Sequence, residues 1–385
     1  MALSKIDVAN MVTGLVPNDN TIRRPNATPL IINGDMQVAQ RSTSETGKTS
    51  AGYYTCDRMH SNIDSIGTYT IIQESLSSGN AYINGFTKAW RIDTTTADAS
   101  PASGDNFSFI YSFEGQDLQL FKKGTANAEK FTLAFWVKSN KTGTGNVNLF
   151  DTDNTRLIGG TYTISSADTW EHKVVNFAAD TTGAFTNDNG QSLKIEWFLD
   201  SGTNFSSGTT DTAWGSKQDV DRNASGTLQI ARNTDNDWAI TGIQLEVGEY
   251  TSSTLPPFQH ESFADNLARC ERYYQVVGSG TRADNLTYFS AYNHDGTSTM
   301  FGIFNFRTTM RTGPSIDQTS GTNYYTFKCN NATDDFDGVN GFRGGIHAGE
   351  FYLSGGSSVG NSSAGEAGKV MGKNASSHIA LAAEL

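Results

Sequence analysis

Several stretches of the chain alternate large apolar residues with mostly polar ones, and this alternation limits the possible folds more than any other feature. It is regular at residues 107–114, 131–138 and 193–200, where a large apolar residue takes every second position. Successive side chains of a β-strand point to opposite faces of the sheet, so the pattern predicts strands that bury one face.

The opposite faces of these predicted strands are only partly polar. They also carry Ile110, Trp136 and Phe198, which indicates that parts of the outer surfaces are covered. Turn-forming clusters such as residues 141–145 and 186–190 separate the strands, and the 39 glycines and 11% aromatic residues suit many short strands. We therefore predict a mostly β chain whose main body is a jelly-roll β-sandwich of two stacked sheets.

The stretch from residue 238 to residue 275 changes character twice. Residues 243–247 alternate and predict a last strand, and the Leu-Pro-Pro sequence at 255–257 then requires an extended crossing. Ser262 can cap a helix after this crossing. The apolar stripe of that helix is formed by Phe263, Leu267, Cys270 and Tyr274. A short helix is therefore predicted to follow the jelly roll.

The last third of the chain predicts a smaller β domain. Short aromatic strands are expected at 286–292, 300–306 and 324–327. Residues 338–373 are rich in glycine and serine and hold few large apolar side chains. Such a segment buries little apolar surface, so we expect it to be a loop or to be completed by a partner chain.

The predicted domain organisation has four parts. These are an N-terminal arm at 1–27, a jelly roll at 28–260, a connecting helix at 261–277 and a C-terminal β domain at 278–385. The arm is too short to be stable alone, so we expect it to order against another protein. Its predicted attachment residues are Leu3, Ile6, Met11 and Leu15.

Charge and hydropathy exclude several classes of protein. The net charge of -12 and the acidic composition argue against a nucleic-acid partner, which requires a basic surface. No apolar run is long enough to span a bilayer, and the N-terminus lacks the apolar core of a signal peptide. The three cysteines have no zinc spacing. We expect synthesis in a cytoplasm, no membrane insertion and no cofactor.

Acidic residues leave two possibilities open. Residues 151–154 resemble the start of a calcium loop, but Arg156 occupies the position where the sharp turn requires glycine. A structural calcium is therefore possible without assigned ligands. A glycoside hydrolase would need two carboxylates that face each other across a cleft. Candidates on predicted strands are Glu114, Glu171, Glu196 and Asp200.

Carbohydrate binding is the stronger prediction. Aromatic side chains stack on the C–H faces of sugar rings, and polar neighbours bind the hydroxyl groups. Trp136, Lys138 and Glu196 lie on faces opposite the main apolar stripes. The sequence therefore predicts these three as ligand-binding residues. The alternative is that Trp136 is buried under a loop or between subunits.

Ordered fragments of the chain add a family resemblance. The fragments are residues 31–35 (IINGD) with 40–41 (QR), 131–139 (FTLAFWVKS) with 141–143 (KTG), 167–170 (ADTW), 180–183 (DTTG), 187–190 (NDNG), 240–248 (ITGIQLEVG), 257–258 (PF) and 270–275 (CERYYQ). Their order resembles that of bacteriophage tail-fibre and receptor-binding proteins with a carbohydrate-binding-module-like jelly roll. Residues 304–314 and 382–385 are more loosely similar to the β-rich tip domain of such fibres.

This resemblance implies a homotrimeric component of a virion tail, synthesised in the host cytoplasm and attached to other virion proteins by its N-terminal arm. The implied function is adsorption to host-surface polysaccharide without catalysis. Two alternatives remain open, namely a polysaccharide depolymerase of the glycoside-hydrolase type and a purely structural decoration or accessory protein of the particle.

Overall fold

The computed structural model describes residues 28–280, 287–296, 299–330, 332–356 and 359–385. The chain divides into two compact units, Met1–Glu261 and Ser262–Leu385. The predicted attachment residues lie outside the described residues; they are Leu3, Ile6, Met11 and Leu15.

The first unit is built almost entirely of strands. They are β1 (Ser44–Lys48), β2 (Gly52–Tyr53), β3 (His60–Asp64), β4 (Thr68–Ser75), β5 (Lys88–Thr96), β6 (Asn106–Glu114), β7 (Phe131–Lys138), β8 (Gly143–Asp151), β9 (Arg156–Ile164), β10 (Glu171–Phe177), β11 (Gln191–Ser201), β12 (Gly215–Ser216) and β13 (Asp237–Val247). Two short helices, α1 (Gly79–Ile83) and α2 (Thr203–Ser206), and 3-10 turns at Gly115–Phe121, Asp219–Asp221 and Ile230–Arg232 connect them.

These strands form two sheets. Sheet A has the order β1-β4-β5-β13-β7-β10, and sheet B has the order β12-β9-β8-β11-β6-β3-β2. Strands that are distant in sequence lie next to each other in these sheets. For example, β13 lies between β5 and β7 and pairs with both in antiparallel orientation. This crossing order confirms the predicted jelly-roll β-sandwich.

The core lies between the two sheets and is rich in aromatic rings. Trp90 of sheet A packs against Phe109 of sheet B with ring centroids 4.7 Å apart and ring planes tilted by 46°, and Phe135 meets Trp197 edge-on at 5.6 Å. All four side chains are fully buried. Interlocking rings from both inner faces give the packing that holds a sandwich together.

The predicted strands at 107–114, 131–138 and 193–200 are confirmed as parts of β6, β7 and β11. Phe198 projects outward from β11 and is nonetheless buried. The segment between β11 and β13 covers it, because the Arg222 guanidinium lies 4.9 Å from its ring centroid. This explains why the outer face of a strand carries an apolar residue.

The segment at residues 31–35 contacts the last strand of the first unit and the residues that follow it. The Ile243 N–H donates to the Gly34 carbonyl oxygen over 3.0 Å. A Cβ at Gly34 would lie 2.3 Å from the Ile243 carbonyl oxygen, so only glycine allows this approach. Asp35 Oδ2 lies 3.8 Å from His260 Nδ1. The IINGD segment therefore docks on the last strand and on the chain that leaves it.

In its described residues, the second unit contains α3 (Phe263–Cys270) and ten strands. They are β14 (Tyr274–Ser279), β15 (Phe289–Asn293), β16 (Thr299–Asn305), β17 (Ser315–Gln318), β18 (Tyr325–Cys329), β19 (Ala332–Phe336), β20 (Gly341–Gly344), β21 (Ala348–Ser354), β22 (Ala367–Gly372) and β23 (His378–Ala382). Sheet C has the order β14-β23-β17, and sheet D has the order β19-β18-β22-β15-β16-β21-β20.

The helix α3 begins as predicted and ends earlier than its apolar stripe suggested. Ser262 caps it by accepting a hydrogen bond from the Asp265 N–H. Tyr274, however, begins strand β14, and Phe263 is 59% exposed. The predicted continuous stripe is therefore wrong beyond Cys270. No helix in the described ranges combines the length and apolar character needed to cross a membrane.

The second unit has a core of its own, which corrects one expectation. Within residues 338–373, strands β20, β21 and β22 pair into sheet D. Phe351, Leu353 and Val370 from these strands are fully buried in that core. A Cβ at Gly349 would lie 2.1 Å from the Phe342 ring. Such a glycine makes room for an aromatic ring, so this glycine-rich segment forms strands of sheet D rather than the expected loop.

Candidate functional site

A cleft of about 450 Å³ opens on the outer face of sheet A. Aromatic and imidazole rings form much of its wall, and backbone and amide groups complete it. The lining residues are Asn84, Phe86, Trp136, His172, Gly242, Gln244, Ser252, Leu255, Pro256, Pro257, Phe258 and His260. All of them belong to the first unit.

Strand β7 places Trp136 in this cleft. Its neighbours Phe135 and Val137 point into the core, so the alternation of the strand turns Trp136 outward. Trp136 is directly opposite Thr241 of β13 and His172 of β10. The ring of His172 lies 5.0 Å from the indole ring. Trp136 is only partly buried, which leaves part of the indole accessible from the cleft.

A bulge in β13 brings the aromatic rings together. The register between β13 and β7 shifts between Thr241 and Gln244, and Gly242 has a φ of 63°. A Cβ at Gly242 would lie 2.7 Å from the Phe86 ring and 3.0 Å from the Trp136 ring. The bulge therefore requires glycine for its left-handed conformation and for the close approach of both rings.

The opposite wall consists of Phe86, Phe258 and His260. Phe86 follows α1, and its N–H donates to the Ala81 carbonyl oxygen. Phe258 meets Phe86 edge-on with ring centroids 4.9 Å apart, and it meets His260 at the same distance. The extended segment that begins at Pro256 therefore forms one wall of the cleft, in addition to connecting the last strand to the helix α3.

Polar groups of the cleft are few and are held in place. Gln244 Nε2 donates to the Pro256 carbonyl oxygen over 3.0 Å. Burial lowers the pKa of the His172 imidazole, and the nearby Lys173 ammonium lowers it further. Burial also raises the pKa of Asp35, and the neighbouring His260 imidazole only partly offsets this increase. The cleft therefore offers amide and imidazole groups beside aromatic faces.

This arrangement is suited to binding a sugar ring. Aromatic faces pack against C–H groups while amides and imidazoles bind hydroxyl groups. No aspartate or glutamate is among the described residues that line the cleft. The paired carboxylates of a glycosidase are therefore not found there.

The structure brings Trp136 into the cleft but does not bring the other two predicted ligand residues there. Lys138 lies on the same face, where its ammonium is 3.6 Å from Glu74 and 5.4 Å from the Trp170 ring centroid. Glu196 lies in sheet B, almost fully buried, and both of its oxygens accept hydrogen bonds from Arg222.

The other candidate carboxylates also have structural partners. Glu114 is fully buried and accepts from Gln116, and Glu171 pairs with Lys173 at 2.6 Å. Burial raises the pKa of Asp200, and the Arg232 guanidinium opposes this. None of these carboxylates lines the cleft.

The predicted calcium-loop start at residues 151–154 contributes Asp151 to the binding of an ammonium group. Lys123 Nζ lies 2.5 Å from Asp151 Oδ2 and 2.9 Å from Asp180 Oδ2, and the lysine side chain is fully buried. In the described part of the chain, no group of three or more His, Cys, Asp or Glu side chains is arranged to hold a metal ion.

Sequence reasoning missed most of the cleft. Phe86 and His172 carry no local pattern that distinguishes them from other residues of a β-rich chain. Phe258 had a signal, because it follows two prolines and belongs to one of the quoted fragments. That signal indicated an elbow in the chain rather than a binding wall.

No family model matches the chain, and no curated protein matches it. Similar solved structures include the enzymatically active domain of tailspike protein 4 of bacteriophage CBA120, with 12% identity, a TM-score of 0.26, and coverage of 57% of this chain and 21% of that chain. They also include a family 11 carbohydrate-binding module of a Clostridium thermocellum cellulase, with 8% identity, a TM-score of 0.25, and coverage of 54% and 97%.

A cyclase from Fischerella is also similar, with 11% identity, a TM-score of 0.31, and coverage of 58% of this chain and 98% of that chain. The similar structures thus include sugar-binding modules, an active tailspike domain and a cyclase. The match to the tailspike spans about a fifth of that chain's length. Similarity of this degree carries no argument about function, and the jelly-roll assignment rests on the strand order of sheets A and B.

Proposed function

We propose that this protein binds carbohydrate through the cleft around Trp136 and that it is a non-catalytic adsorption protein of a bacteriophage virion. The observation that carries the binding proposal is the cleft itself. Trp136, Phe86 and Phe258 supply apolar ring faces, and Gln244 and His172 supply groups that bind hydroxyls. A sugar ring has complementary apolar and polar surfaces.

The virion role is supported by the ordered sequence fragments that resemble tail-fibre proteins. In this proposal the arm at residues 1–27 attaches the protein to other virion proteins, and the chain is a homotrimer in the tail, made in the host cytoplasm. Three weak sites on one particle component bind a polymeric surface glycan with useful avidity, so one shallow cleft per chain is sufficient.

The test begins with the purified full-length protein on a glycan array, followed by calorimetry with the best ligand. Replacing Trp136 by alanine is expected to weaken binding about tenfold, equivalent to roughly 1.4 kcal/mol. The matched control is Tyr53→Ala, because Tyr53 of sheet B also pairs with a histidine ring, that of His60, at 4.8 Å. This control is expected to bind normally.

Two results would overturn the proposal in different ways. New reducing ends after incubation with the bound polysaccharide would identify a depolymerase. Failure to bind any glycan, together with failure to compete with phage for host cells, would leave a structural accessory protein. Equal affinities of Trp136→Ala and the parent protein would reject the cleft as the site.

A further inference from the structure

The outer face of sheet D carries an exposed row of aromatic side chains. Tyr292, Phe301 and Tyr352 are directly opposite one another on the neighbouring strands β15, β16 and β21. Their ring centroids are 6.1 Å and 5.4 Å apart in that order. Tyr292 is 40% exposed and the other two are partly exposed. Given the spacing between strands, the row is about 10 Å long.

Polar and charged positions border this row. One strand step away on the outer face, Ser290 of β15 and Glu350 of β21 flank Ile303, which is 62% exposed. On the other side, the outward position of β16 is Thr299, which is opposite Ser354. Hydrogen-bonding groups therefore lie on both sides of an apolar strip.

Two lysines lie beside one end of the row, where Lys369 of β22 is opposite Ser290, one outward position from Ala367. Ala367 of β22 is opposite Tyr292 and continues the aromatic row into a shallow depression of about 390 Å³. Lys328 and Lys369 line this depression and are directly opposite each other on β18 and β22. Both are exposed.

A pair of like charges at directly opposite positions is unfavourable unless an anion is bound between them. The two lysines also form a locally positive area on a protein whose net charge is -12. A ligand that carries negative charge is therefore complementary to this part of the face, whereas the rest of the acidic protein repels it.

We propose that this face of the second unit binds an acidic oligosaccharide. Sugar rings pack along Tyr292, Phe301 and Tyr352, and a carboxylate or other anionic substituent is bound by Lys328 and Lys369. The site is in a different unit from the Trp136 cleft and does not depend on it.

A second copy of the chain is a poorer occupant for the same face. The core of a protein interface is depleted of charged residues. A copy seated on the aromatic row would also bury Lys369 and Glu350, which end the flanking row through Ser290 and Ile303, and each would lose water without an assigned partner. A sugar polymer leaves the edges of the strip open to water and provides hydroxyl groups for the polar borders.

The probe for the test is oligogalacturonate, with its fully methyl-esterified form as a reference that keeps the sugar rings and removes the charges. We expect the full-length protein to bind the acidic oligomer at least tenfold more tightly than the ester, with an affinity that falls as salt is raised. Alginate and hyaluronate oligomers are tested in parallel to vary the ring geometry.

Two double variants locate the site. Lys328→Gln with Lys369→Gln is expected to weaken binding of the acidic oligomer about tenfold or more, because two charge-assisted contacts are lost. Tyr292→Ala with Phe301→Ala is expected to weaken it to a similar degree.

The matched control removes two positive charges from the first unit, Lys122→Gln with Lys130→Gln. Both of these lysines are exposed and paired with glutamates on the surface. The control is expected to bind like the parent protein, and circular dichroism checks the fold of every variant.

Each contrary result overturns the inference. It fails if none of the three acidic oligomers binds, if the ester binds equally well, or if the lysine variant binds like the control. It also fails if the tyrosine–phenylalanine variant changes only the oligomeric state measured by light scattering, because the occupant would then be a second copy. Loss of acidic-oligomer binding in Trp136→Ala but not in these variants would assign the ligand to the cleft instead.

Discussion

Replacing Lys123 by methionine tests whether a buried cation organises the first unit. The Lys123 ammonium is fully buried between Asp151 and Asp180, and it also donates to the carbonyl oxygens of Thr182 and Gly183. Methionine has a similar length and no charge. The variant therefore keeps most of the packing and leaves two carboxylates near each other without their shared cation.

The expected cost follows from that geometry. Breaking a buried ion pair by removing one partner costs about 3–5 kcal/mol. For a unit of this size each kcal/mol lowers the melting temperature by roughly 2–4 °C, so the transition should fall by about 6–20 °C. Calorimetry measures this directly, and the transition of the second unit, which has a separate core, serves as an internal reference.

The neighbouring lysine supplies the control. Lys122 forms an exposed pair with Glu129, and its replacement by methionine should cost at most about 1 kcal/mol. A melting temperature of Lys123→Met within about 2 °C of this control would correspond to a cost of about 1 kcal/mol or less. That result would refute the reasoning about the buried cation.

Lowering the pH should reduce the difference in unfolding free energy between Lys123→Met and the parent protein. Burial raises the pKa of Asp180, but hydrogen bonds from Arg156 and Lys123 outweigh it, so the pKa is lowered from 3.8. A lowered pKa contributes stability that is present above pH 3.8 and is lost as the pH falls through the folded-state value. Unfolding measured from pH 7 to pH 3 should therefore show the two proteins converging. A constant difference would contradict this.

Three further predictions concern single positions. Gly242→Ala should destabilise the first unit by about 1–3 kcal/mol, because the left-handed φ and the nearby rings both oppose a Cβ; an unchanged urea midpoint would contradict this. In an NMR titration His172 should show a pKa below 6.5, and its contribution to stability should be lost as the pH falls below that value; a pKa at or above 6.5 would reject the burial of its ring. Phe351→Ala should cost about 3–5 kcal/mol in the second unit, because its ring is fully buried in the core; an unchanged unfolding midpoint of that unit would contradict this.

Strands buried between the two sheets could be predicted because their alternation is strict. In β6 and β11 every second residue meets the opposite sheet, and a period of two has no other common explanation. The helix start at Ser262 was also predictable, since the cap and Asp265 are local features. The helix end was not, because Tyr274 continues the spacing of the stripe while pairing as a strand with β23.

The candidate site was harder to predict because it depends on residues far apart in the chain. Trp136 was found from its place on the outer face of β7. Its partners Phe86, His172 and Phe258 reach it through the strand order of sheet A and the bulge at Gly242. Neither the order of strands nor a bulge has a signature in a single sequence. The outward position of Glu196 on its strand predicts it as a ligand residue in the same way. Its partner Arg222 could not be predicted, because it comes from a distant segment of the chain.

Glycine-rich composition misled the prediction for the second unit. Counting large apolar residues between 338 and 373 underestimates a core in which rings from other positions fill the space above the glycines. Phe327 over Gly368 is one example.

The contact between Asp35 and His260 has a mechanical consequence for a protein tethered at one end and pulled at the other. The chain enters the sandwich and leaves it at almost the same point, and Gly34 is bonded to the last strand beside them. Tension applied along the chain therefore passes through this short junction rather than along the full length of the strands. The hydrogen bonds that such tension loads are those that hold residues 32–34, from the Ile32 N–H to the Tyr111 hydroxyl and from the Ile243 N–H to the Gly34 carbonyl oxygen.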